Sequence, residues 1–114
     1  MKIEGKGKVL KIFIGESDHW HGEPLYHAIL KMVRENGLAG CTIIRGIEGF
    51  GATSRIHSTR ILRLSEDLPI VIEIVDKEER INKILKKLDD MISEGLIITL
   101  QDVEIIKYTH EKNK

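Results

Sequence analysis

The residues with most chemical potential lie together in Gly46-Ile47-Glu48-Gly49-Phe50-Gly51, a G-x-x-G-x-G run. Glycines accept positive φ and let backbone N–H groups approach an anion closely. The dinucleotide-binding pattern is G-x-G-x-x-G and needs a helix directly after it. Here the spacing is reversed, and the run leads through Ala52-Thr53-Ser54-Arg55 towards a predicted strand. No Lys-Ser/Thr follows the last glycine, so a P-loop is excluded as well. A flexible turn and a ligand-binding loop both account for the glycines. Charge favours the loop: Arg45, Arg55, Arg60, Arg63 and His57 stand against the single acid Glu48, and four of the six arginines fall within 19 positions. Arginine presents a planar fork matched to phosphate or carboxylate. The candidate anion site is therefore Arg45, Gly46, Gly49, Gly51, Arg55, His57 and Arg60. Pairing of these arginines with acids at a subunit interface is the competing explanation, and both hold if a ligand sits at that interface.

A second cluster, Glu16-Ser17-Asp18-His19-Trp20-His21, packs two carboxylates, a hydroxyl and two imidazoles into six residues. His19 and His21 with Asp18 or Glu16 are candidate ligands for a divalent ion, and His57 is a further one if it approaches in space. A polar loop anchored by Trp20 explains the same residues. Cys41 falls in a predicted strand and reads as a buried, inert thiol. A Ser-His-Asp set assembled from Ser54 or Ser58, His57 and Asp18 lacks a G-x-S-x-G elbow. A hydrolase or transferase built on His57 and Glu48 lacks any nucleophile-base spacing. No catalytic residue is assigned.

The elements that must position these residues follow from periodicity. Val9–Ile14 is a β-rich apolar run that stops at Gly15. Pro24 stands where a first helical residue belongs, and Leu25, Ile29, Met32 and Val33 make one apolar helical face that ends at Asn36-Gly37. Gly40–Arg45 reads as a strand, Gly46–Ser58 as a loop, and Thr59–Leu64 as β-rich. Ile70–Val75 is a strand with Ile70, Ile72 and Ile74 on one face and Val71, Glu73 and Val75 on the other. Asp76 with Glu79 forms an Asp variant of the capping box. Ile81, Ile84, Leu85, Leu88 and Ile92 then make a second helical stripe, ended by Gly95. Leu96–Leu100 and Val103–Tyr108 are strand-like, split by Gln101-Asp102, and Thr109–Lys114 is a polar tail.

This β-α-β-β-α-β order predicts an α+β, ferredoxin-like (split βαβ) sandwich with both helices on one face of an antiparallel sheet. The other face is left uncovered yet partly apolar, so oligomerisation is expected. At 114 residues, one domain spanning 1–114 is expected. Hydrophobic residues make up 41% and aromatics 4%, so the core must be aliphatic: Ile, Leu and Val number 19, 11 and 5. Lys+Arg and Asp+Glu are 18 each, and aromatics are not interleaved with basic residues, which argues against nucleic-acid binding. The neutral total is an average, because Leu64–Glu104 holds eleven acids and five bases. No apolar run is long enough for membrane insertion and no signal-like segment opens the chain, so a cytoplasmic protein is expected. One cysteine agrees with a reducing compartment. Few amides with many Lys, Glu and Ile fit a thermophilic source or an AT-rich genome equally.

Several stretches together resemble domain-of-unknown-function family 190, a prokaryotic group of PII-like proteins. They are Gly15-Glu16-Ser17-Asp18, Trp20-His21-Gly22, Pro24-Leu25-Tyr26, Gly37-Leu38-Ala39-Gly40-Cys41-Thr42, Arg45-Gly46-Ile47-Glu48-Gly49-Phe50-Gly51 and Leu68-Pro69-Ile70-Val71-Ile72-Glu73. The resemblance covers about Lys8 to Tyr108, with the Arg45–Gly51 block its most specific part. It implies similarity to nitrogen-regulatory PII proteins and divalent-cation-tolerance proteins, whose ferredoxin-like subunits usually form trimers. PII proteins bind adenine nucleotides between subunits and touch their regulated partner with a long loop, which corresponds here to about Ile47–Pro69. Two departures limit the transfer. The PII glycine-rich loop ending in Lys after the second helix is missing, since Met91–Leu96 carries only Gly95. The PII tyrosine modification site is missing too, since Tyr26 and Tyr108 lie outside the loop. The resemblance implies a homotrimeric, non-catalytic signalling protein that binds a small anion or nucleotide and acts on a transporter or enzyme. A divalent-metal-binding trimer using His19 and His21 is the alternative; the sequence names no cofactor.

Overall fold

A computed structural model describes residues 2–50, 68–92 and 97–109. The elements are β1 (Lys2–Gly15), β2 (His19–Trp20), β3 (Glu23–Pro24), α1 (Leu25–Glu35), β4 (Thr42–Arg45), β5 (Pro69–Asp76), α2 (Glu78–Met91) and β6 (Ile97–Thr109). The expected strand at Thr59–Leu64 lies outside the described residues. The helix stop expected at Gly95 comes earlier: α2 ends at Met91, and Ile92, expected on its apolar stripe, is already extended (φ −122°, ψ 117°).

Four strands form one antiparallel sheet in the order β4-β5-β1-β6. Each β-α-β half brackets a helix, and the interleaved order is the ferredoxin-like arrangement that the element order predicts. β1 is the central strand, bonded to β5 on one side and β6 on the other. Its alternation places Leu10, Ile12 and Ile14 on the same face as Ile70, Ile72 and Ile74 of β5. Leu25, Ala28, Ile29 and Val33 of α1 and Ile81, Ile84, Leu88 and Met91 of α2 pack on that face. Trp20 and Tyr26 sit only at the margin of this core, so the aliphatic core expected from composition is realised.

Among the described residues, no helix packs on the sheet's other face. Phe13, Ile44 and Val75 are 37%, 48% and 40% exposed there, an apolar surface left uncovered by a single chain. Among the described residues, no helix is long and apolar enough to cross a membrane.

Three further local expectations are corrected. Pro24 is the N-cap of α1 (φ −57°, ψ 133°) rather than its first helical residue. It is also the last residue of β3, and its extended ψ suits that role. α2 is capped by Lys77, with no side-chain cap bond, and not by Asp76. Strand alternation puts Asp76 on the inward face after Ile70, Ile72 and Ile74, where it is fully buried. A buried carboxylate needs partners: Oδ2 accepts from the Ala39 amide at 2.8 Å and Oδ1 from the Lys77 amide at 2.7 Å. The Arg80 Nε lies 3.7 Å away, and its Nη1 donates to the Gly37 carbonyl at 2.7 Å. Asp76 thus joins the exit of α1 to the entry of α2. Finally, β6 is one continuous strand, not two. Asp102 lies opposite Lys8 in the register and pairs with it, so the polar Gln101-Asp102 pair is held within the ladder.

Candidate functional site

At one end of the sheet β1 stops at Gly15, β4 stops at Arg45 and β5 starts at Pro69, with Gly15 opposite Pro69 and Arg45 opposite Ile70. Two backbone bonds close this end: Glu16 N–H donates to the Leu68 carbonyl at 2.8 Å and Gly46 N–H to the Pro69 carbonyl at 2.7 Å. They define the base of the loop that leaves β4 and returns to β5.

Arg45, Gly46 and Gly49 meet at this base, whereas Gly51, Arg55, His57 and Arg60 lie outside the described residues. Gly46 is a glycine for a steric reason. A Cβ there would stand 2.8 Å from the Pro69 ring, and one at Gly49 would stand 3.3 Å from it. The Gly46 N–H is spent on Pro69, so the donor expected to face an anion is used to close the loop base. The Gly49 neighbours Ile47 and Phe50 stand 90% and 73% exposed, unusual positions for large apolar side chains.

Arg45 is not a bare cation. Its Nη2 pairs with Glu16 Oε2 across the start of β5, although its side chain remains 58% exposed. The Glu16 side chain is only 15% exposed. Its second oxygen, Oε1, is buried and finds no hydrogen-bond partner among the described residues. This contact between residues 29 apart escaped the sequence reading, which grouped Glu16 with the histidines. The available signal was one acid just beyond a strand end and one arginine at another.

The histidine cluster folds as a small hairpin. His19 and Trp20 pair with Pro24 and Glu23, and the two turn residues His21 and Gly22 have φ of 50° and 84°. Two positive φ values in a two-residue turn are the mark of a type I′ hairpin, which the His-Gly pair could have signalled. The His21 ring stacks on Trp20 at 3.8 Å between centroids. His19 Nδ1 lies 2.6 Å from the Ser17 carbonyl. A carbonyl only accepts, so Nδ1 is the donor in this contact. The neighbouring carboxylates are engaged elsewhere: Asp18 Oδ2 accepts from the Gly15 amide at 3.0 Å, and Glu16 pairs with Arg45. Among the described residues no three His, Cys, Asp or Glu side chains are grouped to hold a metal.

On the uncovered sheet face a hollow of about 310 Å³ lies among Ile3, Cys41, Thr42, Glu73, Val75 and Tyr108. The Tyr108 hydroxyl donates to the Ala39 carbonyl at 3.4 Å. Burial pushes the Cys41 thiol up to about 11, so it is protonated at neutral pH and a poor nucleophile.

The family model DUF190, described as "Uncharacterized ACR", matches residues 7–105. A UPF0166 protein of Aquifex aeolicus is 39% identical over 101 residues, covering 89% of this chain and 94% of that protein. A UPF0166 protein of Methanocaldococcus jannaschii is 39% identical over 102 residues, covering 90% and 94%. Among solved structures, CPII of Thiomonas intermedia K12, a nitrogen regulatory PII-like protein solved with ADP and bicarbonate, superposes with a TM-score of 0.65. It is 17% identical, and the match covers 92% of this chain and 91% of CPII. That likeness is one of fold.

Proposed function

The chain belongs to the DUF190 family, and from that membership we propose that it is a PII-like, non-catalytic regulatory protein of the cytoplasm. It acts as a homotrimer and binds a small anionic ligand, an adenine nucleotide being the first candidate, near a subunit interface. The observation that carries this reading is Arg45 at the base of the β4–β5 loop, a cation whose side chain is 58% exposed. Its guanidinium offers a fork to phosphate or carboxylate. The solved PII-like neighbour bound to ADP and bicarbonate supports the ligand class. Gly51, Arg55, His57 and Arg60, which follow in the sequence, are proposed as further members of the site.

A partner protein, a transporter or an enzyme, is the regulated target. Ile47 and Phe50 supply exposed apolar contact next to the ligand site, so a ligand bound at Arg45 changes the surface a partner meets. Isothermal titration with ATP, ADP, AMP and cyclic nucleotides tests the reading. Saturable binding of one of them is expected, weakened about tenfold or more in Arg45→Ala, since a hydrogen bond to a charged group is worth about 1.5–3 kcal/mol. A folded protein that binds none of them contradicts the nucleotide reading.

A further inference from the structure

We infer that Glu16 is a built-in competitor for the anion at Arg45: its carboxylate occupies the guanidinium that the ligand must take. This rests on the reading of Arg45 as an anion-binding residue and names how that site is regulated.

The geometry is specific. Glu16 cannot easily withdraw, because its N–H is bonded to the Leu68 carbonyl at 2.8 Å and its side chain is largely buried. Oε2 faces Arg45 Nη2, while Oε1 is buried without a partner among the described residues. The arginine is the opposite case, with a side chain 58% exposed. An incoming phosphate or carboxylate therefore approaches a cation already matched by a fixed negative charge. Two outcomes are open to it. The anion can share the fork and lie beside a like charge, which opposes binding. It can instead displace Oε2, leaving a mostly buried carboxylate with neither oxygen paired, which is costly. Either way Glu16 lowers the affinity of Arg45 for anions and raises their selectivity threshold, so that weak or singly charged anions lose to the internal carboxylate.

The test measures binding of inorganic pyrophosphate and of ADP to the full chain and to Glu16→Gln, Glu16→Ala, Arg45→Ala and the Glu16→Gln/Arg45→Ala double variant. The glutamine keeps the shape and removes the charge; the alanine is the second route should either variant fold poorly. Affinity should rise about tenfold in the Glu16 variants, and the rise should vanish in the double variant. Modification of Arg45 by phenylglyoxal, followed by peptide mass mapping, should also be faster in Glu16→Gln than in the parent. Binding that is unchanged or weaker in both Glu16 variants overturns the competitor while leaving the anion site standing. Absence of binding of both probes to every variant overturns the anion reading itself, and the competitor with it.

Discussion

The Cys41 side chain lines the hollow on the uncovered sheet face, and burial holds its thiol at about 11 against an ordinary 9.0. Two pKa units leave on the order of 100-fold less thiolate than in an open chain at the same pH. Iodoacetamide at pH 8 should therefore label Cys41 slowly in the native protein and fast in denaturant; equal rates would contradict the burial. The sign for stability follows from the same shift. Between about 9 and 11 the unfolded chain loses the thiol proton first, so stability falls as pH rises through that window. The sequence places Cys41 inside a strand as a buried thiol, whereas β4 starts one residue later at Thr42 and Cys41 is half-buried, enough to raise its thiol. Glu16 and Asp76 were not legible, since each took a role set by tertiary neighbours. Asp76 precedes a helix with Glu79 three residues on, which is a capping signature, but strand parity turned it into the core. Glu16 sits in a histidine-rich loop, yet its partner comes from the end of β4.

Strands and helices with strong periodicity were readable: α1, α2 and β5 lie where their apolar spacing places them. β6 was read as two pieces because Gln101-Asp102 interrupts the apolar pattern, and an edge strand tolerates polar residues that a central strand would not. The β2–β3 hairpin was missed since two-residue strands leave no periodic trace. β1 shows how tightly the sheet is built. A Cβ on Gly7 would stand 2.5 Å from the Ile105 Cδ1 and 2.8 Å from the Asp76 carbonyl oxygen. The isoleucine can turn aside, but the carbonyl at the end of β5 is fixed by the ladder. Gly7→Ala should thus cost about 1–3 kcal/mol, read as a lower urea midpoint with unchanged slope. A midpoint equal to the parent's would show that the two strands separate more freely than this packing allows.

For the whole molecule, the β-α-β-β-α-β order and single-striped helices sufficed to foretell a ferredoxin-like sheet covered on one face. They also foretold that the other face would stay apolar, as Phe13, Ile44 and Val75 show. What a single chain could not reveal is what covers that face, and the proposal fills it with two further copies. Val75 lies on β5 at the end opposite the loop base, six residues from the β5 residue that faces Gly15. A charge there should break the assembly without touching Arg45. Native mass spectrometry of the parent and of Val75→Glu, each with ADP added, tests the central claim most directly. A trimer that gains the mass of ADP, together with a folded Val75→Glu monomer that gains none, is the predicted result. A parent protein that is monomeric and binds ADP unaided, or a trimer that takes up neither ADP nor, offered in turn, ATP, AMP or cyclic nucleotides, would contradict it.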